Sequence, residues 1–278
     1  MTKLIEIKGN HELYNFTRKE LANLFRESLF NRMKVNSESI GLNGLKLLPE
    51  TSTSDEMSLY YKFIPSPGLK FISLDCFDIS VLGHDPSHHK YTKAAQILFQ
   101  YHGCHDWDTW DTDDKLVGPN KRFQSSNGAI SDEQLEWLET ELQESDEKQE
   151  RVIVFGHVGL HPDSSDWNTT IWNYEEVIAC FNRHPSVVVY LSGHAHMSGY
   201  ANANGVHFVS FQAIIETPPE TEAFATIAIF EDRIEIEGHG TEMTRVLHLN
   251  KRTVLSPEDA VEDLVEELTT NPTVEVEV

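Results

Sequence analysis

The chain has 278 residues, which is enough for one large domain or two small ones and for a substantial hydrophobic core. Aspartate and glutamate outnumber lysine and arginine by 45 to 22, which gives a formal net charge of -23 at pH 7. So acidic a chain is poorly suited to bind nucleic acid without sequence preference, or to bind an anionic membrane, and we expect neither partner. If the chain binds a phosphate, bound cations must help to hold it.

The cysteines and the apolar runs indicate where the protein works. Cys76, Cys104 and Cys180 are odd in number and form no CxxC pattern, which is typical of reduced thiols rather than of a disulfide framework. The longest apolar runs, such as SVVVYL, are only of strand length, and no stretch resembles a signal peptide. We therefore expect a soluble, cytoplasmic protein.

The first half of the chain predicts a strand, a helix and a hairpin. TKLIEIK predicts a strand, and TRKELANLFRESLFNRM predicts an amphipathic helix in which Thr17 and Glu20 have the spacing of a capping box. SLYYKFIP and LKFISLDCFDI flank the turn SPG and predict an antiparallel hairpin. A polar region follows from about Gly83 to Asn127. Its acidic stretch CHDWDTWDTDDK lacks the spacing and the central glycine of a calcium loop, so we interpret it as a solvated loop.

Helices and apolar strands alternate in the second half. The helix SDEQLEWLETELQES begins with Ser131 and Gln134 at capping-box spacing and leads into the strand RVIVFGH. The helix YEEVIACFNRH and the strand SVVVYLSGHAH repeat that order, and GVHFVSFQAI, AFATIAIFED and RIEIEGHG predict an antiparallel sheet. We predict an α/β fold of the α+β type, an αββα sandwich over residues 1–250. An acidic helix and tail should occupy residues 251–278, with no second domain.

Three motifs combine an apolar strand, a glycine and a metal-ligand type of residue: GNH at 9–11, GH at 156–157 and GHAH at 193–196. In α/β sheets, ligands gather at the carboxyl ends of strands, so these motifs should converge. Glycine before each ligand permits a sharp exit from the strand and a close backbone approach. The alternation of His194 and His196 would point two imidazoles at neighbouring ions or at one. The three motifs together favour a shared metal site over a coincidence of structural histidines.

Taken singly, each motif also has a structural interpretation. An isolated histidine such as His157 is more often a hydrogen-bonded structural residue than a ligand, and Asn10 alone fits a turn. His161, close to His157 but followed by proline, is balanced between the two interpretations. We interpret the remaining histidines in polar loops or at element ends as structural: His88, His89, His102, His105, His184 and His239.

The order of these motifs resembles the calcineurin-like metallophosphoesterases, whose signature combines GNH before an acidic residue, a later GH, and GHxH. GNHELYNF, LDCFDISVLG, NGAISDEQLEWL, DSSDWNTTIWNY and SGHAHMSGY are similar to one branch, the manganese-dependent ADP-ribose/CDP-alcohol diphosphatases. Their order and approximate spacing match from Gly9 to about Gly240. The resemblance implies an αββα metallophosphoesterase domain over residues 1–250.

The resemblance also implies a role for individual residues. Asn10, His157 and His194 would bind one metal ion, and His196 would bind a second. His11 would protonate the leaving group or stabilise the phosphate. Three residues directly after the GNH motif are candidate substrate contacts whose aromatic rings would pack against a base or ribose, with a place in the core as an equal alternative: Tyr14, Asn15 and Phe16.

The implied reaction is metal-dependent hydrolysis of a nucleoside-diphosphate linkage in a small-molecule nucleotide. ADP-ribose would give AMP and ribose 5-phosphate, and a CDP-alcohol would give CMP and a phosphoalcohol. Two alternatives stay open. The chain would otherwise be a catalytically silent nucleotide-binding or regulatory isoform, or a metallophosphoesterase that acts on phosphomonoesters or cyclic nucleotides.

The chain departs from the family pattern before Gly9. The family has two earlier motifs, DxH or DxQ and then GD, whose aspartate bridges the two metal ions. Here only MTKLIEIK precedes Gly9, without Asp, His or Gln, and Asp75 and Asp78 are poor replacements because LDCFD has its own counterpart in the family. We therefore expect a sandwich truncated at its N-terminus, with one weak metal site or none in place of a manganese pair.

Two further expectations follow from that departure. An imidazole-rich residual site would favour zinc, nickel or copper over manganese, which prefers oxygen ligands. Missing central strands would expose apolar sheet edges, and we expect these to promote self-association of the chain.

Overall fold

The computed structural model describes residues 9–21, 23–24, 59–103 and 116–250. The strand predicted over 2–8, most of the helix predicted after Thr17, the acidic loop with Cys104 and His105, and the tail over 251–278 lie outside these residues. None of the described helices is long and apolar enough to cross a membrane.

Among the described residues, the larger sheet contains six strands, and four of them are parallel. The spatial order is β1-β2-β3-β4-β6-β5, in which β2, β3, β4 and β6 run parallel and β1 and β5 are antiparallel edges. The predicted hairpin is confirmed, because Tyr61 of β1 pairs with Ser73 of β2. The strands are β1 Tyr61–Ser66, β2 Leu69–Ser73, β3 Arg151–Phe155, β4 Val187–Ser192, β5 Gly199–Ala203 and β6 Val206–Ser210.

A second, antiparallel sheet consists of β7 Ala223–Ile229, β8 Arg233–Gly240 and β9 Arg245–His248. The prediction that GVHFVSFQAI joins this sheet is wrong, since β6 lies parallel to β4 in the larger sheet. Every residue of β6 is buried, and a strand covered on both faces belongs inside a layered sheet. The short strands β5 and β9 were not predicted from the sequence. β5, GYANA, is rich in residues that weaken strands and depends on its pairing with β6.

The described α-helices are α1 Asn10–Asn15, α2 His89–His102, α3 Asp132–Lys148 and α4 Tyr174–Arg183. One face of the larger sheet packs against α3 and α4, where Leu138 and Phe181 join Val154 in the core. The other face packs against the smaller sheet, where Val189 of β4 and Ile236 of β8 belong to one buried apolar cluster. Helices and two sheets therefore form successive layers, which confirms the predicted α/β sandwich.

Both predicted helix caps form, but one of them has a different partner. Thr17 and Glu20 exchange hydrogen bonds, 2.8 Å from the Thr17 amide to Glu20 Oε2 and 3.3 Å from the Glu20 amide to Thr17 Oγ1. Ser131 Oγ accepts the Gln134 amide at 3.2 Å and caps α3. The Gln134 side chain turns instead to the backbone of Asp75, so α3 is tied to the end of β2.

Candidate metal centre

The three motifs meet at the carboxyl edge of the larger sheet. His157 follows β3 and His194 follows β4, and the Gly193 amide donates to the His157 carbonyl at 3.0 Å, which joins the two strand exits. The imidazole rings of His157 and His194 lie 5.0 Å apart, and Asn10 Oδ1 lies 3.0 Å from His157 Nε2. The structure therefore brings together the side chains of Asn10, His157 and His194, although Asn10 and His157 are 147 residues apart in the sequence.

Close backbone approach is required at two of the motif glycines. A Cβ atom on Gly9 would lie 2.7 Å from His157 Cε1, so any other residue would push the imidazole away. A Cβ atom on Gly156 would lie 2.5 Å from the hydroxyl of Tyr190. A Cβ atom on Gly193 would lie 4.0 Å from the His157 carbonyl, an ordinary contact, so the predicted need for a close approach there is wrong.

The buried histidines are neutral and available as ligands. Burial lowers the pKa of His157 to about 4, although nearby Glu12 raises it. Burial, and then the neighbouring imidazoles, lower the pKa of His194 well below its usual range. Two neutral nitrogens and the buried amide oxygen of Asn10 fit a divalent metal ion. Among the described residues, no carboxylate forms a hydrogen bond with any of these three side chains.

Asn127 belongs to this cluster, although the sequence analysis left it at the end of a polar loop. Its side chain is buried, and Oδ1 lies 2.7 Å from His194 Nε2. Nδ2 donates to the carbonyls of Arg122 and Asn168, both at 2.8 Å, which fixes the orientation of the amide. A Cβ atom on the next residue, Gly128, would lie 2.7 Å from a backbone carbonyl. The Asn-Gly pair is typical of turns in general, so no local signal in the sequence marked Asn127 as part of the site.

Replacing Asn127 with leucine should weaken metal binding about 10–100-fold, because His194 loses the oxygen that holds its imidazole in place. Calorimetric titration with manganese measures the change. The Asn127→Asp variant keeps an oxygen beside His194 and should bind manganese more tightly than the Asn127→Leu variant. Replacing the exposed Asn120 with leucine is the matched control. A folded Asn127→Leu chain with unchanged affinity would contradict this role.

His11 and His196 lie at the more exposed side of the cluster. His11 is exposed in the first turn of α1, close enough to contribute to the lowered pKa values of His157 and His194. His196 Nδ1 lies 3.2 Å from Glu216 Oε1, an acidic partner that the sequence analysis missed. His194 and His196 have positive φ angles of 66° and 57°, uncommon for non-glycine residues, so the loop is held in a strained form.

The residues after GNH lie at the surface. Tyr14 and Phe16 are 40% and 45% exposed, so the alternative that they belong to the core is wrong. The Tyr14 hydroxyl accepts a hydrogen bond from Asn10 Nδ2 at 3.0 Å, which orients the Asn10 oxygen towards His157. Asn15 Nδ2 donates to the His11 carbonyl at 2.8 Å. The substrate role of these three residues stays a prediction.

Other polar residues near the sheet have partners of their own. His161 Nδ1 accepts the Asp163 amide at 3.2 Å, and its ring packs 5.2 Å from that of Phe208. Asp75 forms a buried ion pair with Arg18. Asp78 pairs with Lys90 at 2.6 Å and accepts a hydrogen bond from Ser131.

The chain is similar to proteins whose names describe a defined activity. The manganese-dependent ADP-ribose/CDP-alcohol diphosphatase of Xenopus laevis is 35% identical over 246 residues, which cover 86% of this chain and 65% of that protein. The Danio rerio protein of the same name is 34% identical over 233 residues, covering 84% of this chain and 68% of that protein. This chain thus spans about two thirds of the length of these curated relatives.

A solved structure supports the same relationship. The crystal structure of a dimetal phosphatase from Danio rerio matches with a TM-score of 0.72 and 31% identity, and the match covers 88% of this chain and 72% of that chain. No family model matches the sequence. From the fold, the converging GNH, GH and GHAH motifs and these relatives, the chain belongs to the manganese-dependent ADP-ribose/CDP-alcohol diphosphatases.

Proposed function

We propose that this protein is a cytoplasmic, manganese-dependent hydrolase of nucleoside-diphosphate linkages, of the calcineurin-like type, with ADP-ribose and CDP-alcohols as substrates. One observation carries the proposal: neutral His157 and His194 lie together with the amide oxygen of Asn10 at the carboxyl edge of a parallel sheet. The relatives with this fold are named for manganese and for these two substrate classes.

Four residues of this chain would hold the metal ions that the reaction needs. Asn10, His157 and His194 would hold one ion, and His196 would contribute to a second. A bound divalent ion supplies Lewis acidity towards the phosphate oxygens. The chain's high negative charge makes such neutralisation necessary, because an anionic substrate would otherwise be repelled.

The exposed side of the site would bind and protonate the substrate. His11 stands at the cluster and can donate a proton to the departing phosphate oxygen as the bond from phosphorus to the bridging oxygen breaks. The exposed rings of Tyr14 and Phe16 offer surfaces for a base or ribose. Asn15 lies between them.

The test is hydrolysis of ADP-ribose and CDP-choline by the purified chain, with manganese and with a chelator. We expect AMP with ribose 5-phosphate, and CMP with phosphocholine, only when manganese is present. A His194→Ala chain run in parallel distinguishes this activity from that of a contaminating phosphatase. Calorimetric titration with manganese counts the sites that the purified chain holds.

The same assay decides between the alternatives. Turnover confined to a phosphomonoester or a cyclic nucleotide would overturn the proposed substrate class. Saturable binding of ADP-ribose without turnover at any manganese concentration would identify a silent nucleotide-binding form. Either result contradicts the proposed function.

A further inference from the structure

A second cluster of metal-ligand side chains lies away from the site described above. Glu139 on α3, Cys180 on α4 and His184 at the end of α4 each offer one ligand atom, and these atoms lie within 4.8 Å of one another. Cys180 and His184 are four residues apart, so the helix end presents them on one face. From its place at the end of an element His184 was interpreted as structural, and its proximity to Glu139 depends on the packing of two helices.

The cluster and the candidate metal centre occupy opposite edges of the larger sheet. His184 comes just before β4, which begins at Val187, whereas His194 follows the end of β4. Six residues of extended strand, on the order of 20 Å, separate the two edges. An ion bound at one cluster would therefore not share ligands with the other.

The imidazole of His184 lies between two carboxylates. Nδ1 lies 2.7 Å from Asp146 Oδ2, and Nε2 lies 3.1 Å from Glu139 Oε1. If Nδ1 donates its proton to Asp146, Nε2 of the neutral ring keeps a lone pair, and this is the form of imidazole that binds a metal ion. A carboxylate that holds the far nitrogen is also the usual means of orienting a metal-binding imidazole.

The other two side chains are arranged to receive the same ion. Arg183 orients Glu139 with two hydrogen bonds, from Nη2 to Oε2 at 2.5 Å and from Nε to Oε1 at 3.3 Å, and Oε1 also lies 3.1 Å from His184 Nε2. Burial raises the pKa of Glu139, but hydrogen bonds from Arg183, Cys180 and His184 outweigh it and lower the pKa to about 2. Glu139 is thus a carboxylate. Burial, and then the charge of Glu139, raise the pKa of the Cys180 thiol. Cys180 is therefore a protonated thiol until a metal ion binds.

We propose that Glu139, Cys180 and His184 bind a zinc ion that links α3 to the end of α4. Thiolate, imidazole and carboxylate are the ligands that zinc takes in proteins, and a solvent molecule at the partly exposed Glu139 would complete a tetrahedron. Binding releases the proton of the Cys180 thiol, because the thiolate is the form that binds a metal ion. The thiolate of Cys180 distinguishes this site from the candidate metal centre, whose ligands are imidazole nitrogens and an amide oxygen.

Cobalt(II) is the probe for this site, because a bound thiolate gives it a near-ultraviolet charge-transfer band and tetrahedral geometry gives it intense visible absorption. Every protein in the experiment carries Cys104→Ser, so that only Cys76 and Cys180 can supply a thiolate. We expect both bands to saturate at one cobalt per chain and to disappear when zinc is added. Cys180→Ser should abolish the charge-transfer band. Cys76→Ser, which changes the other buried cysteine, should keep it.

A second variant keeps the test decisive if Cys180→Ser does not fold. Asp146→Asn removes the carboxylate that orients His184 and changes none of the three ligands, so cobalt affinity should fall about 10–100-fold while the band position stays. Zinc should raise the melting temperature of the Cys104→Ser chain but not that of a folded Cys180→Ser chain. The proposal is overturned if the Cys104→Ser chain shows no charge-transfer band, if Cys180→Ser retains it, or if Asp146→Asn binds cobalt unchanged.

Discussion

Turnover of ADP-ribose should fall by about 10²–10⁴-fold when His11 is replaced by alanine, which is the usual contribution of a general acid. His11 is exposed in the first turn of α1, beside the buried pair His157 and His194. Because those two imidazoles are buried and neutral, His11 is the histidine of the cluster best placed to carry a proton to the leaving oxygen. Steady-state kinetics at saturating manganese measure the loss, and His239→Ala on β8 is the control.

The leaving group separates the two roles that the family resemblance gives to His11. A nitrophenyl ester of AMP needs little protonation of its leaving oxygen, so His11→Ala should cost less than about 10-fold with that substrate if His11 is a general acid. Equal losses with both substrates would instead assign His11 to stabilisation of the phosphate. An unchanged rate with ADP-ribose would contradict both roles.

Replacing Arg18 with methionine should lower the free energy of unfolding by about 3–5 kcal/mol, because Asp75 is left as a buried charge without its partner. Arg18 and Asp75 form an ion pair with side chains 8% and 6% exposed. Arg18 also donates to the Phe77 carbonyl at 3.0 Å, and its amide donates to the Gly83 carbonyl at 3.0 Å. These contacts attach the segment that carries the GNH motif to the end of β2.

Urea unfolding of the purified chain measures this loss. Lys93→Met is the matched control, since the Lys93–Asp132 pair is 50% and 77% exposed and should contribute at most about 1 kcal/mol. The double variant Arg18→Met with Asp75→Leu removes both charges and should recover much of the stability. Equal effects of Arg18→Met and Lys93→Met would contradict a buried ion pair that holds the GNH segment in place.

Features encoded in short stretches were predictable from the sequence. Ser131 before an amphipathic pattern identified the start of α3, and the SPG turn between apolar runs identified the β1–β2 hairpin. The same reasoning placed His157 and His194 after strands that run parallel. A parallel pair brings both carboxyl ends to one edge, so the convergence of the GH and GHAH motifs could be expected before the structure was known.

Contacts between distant residues were not predictable in this way. The bond from Asn127 to His194 spans 67 positions, and nothing in the local pattern of Asn127 separates a buried amide from a loop residue. The place of β6 beside β4 and the pairing of His196 with Glu216 likewise depend on which elements become neighbours. The same holds for Glu139 and His184, which α3 and α4 bring together.

The sequence by itself therefore determined the α/β class, most of the described strands, the helices α3 and α4, and the residue types available for a metal site, whereas α2 lies in the stretch interpreted as a polar region. Local hydrophobic periodicity, capping residues and turn residues act over a few positions, and a single stretch of chain carries them completely. Only the tertiary structure decided which side chains share a site. Close packing of the two sheets and the helices sets those distances, and it depends on the whole sequence at once.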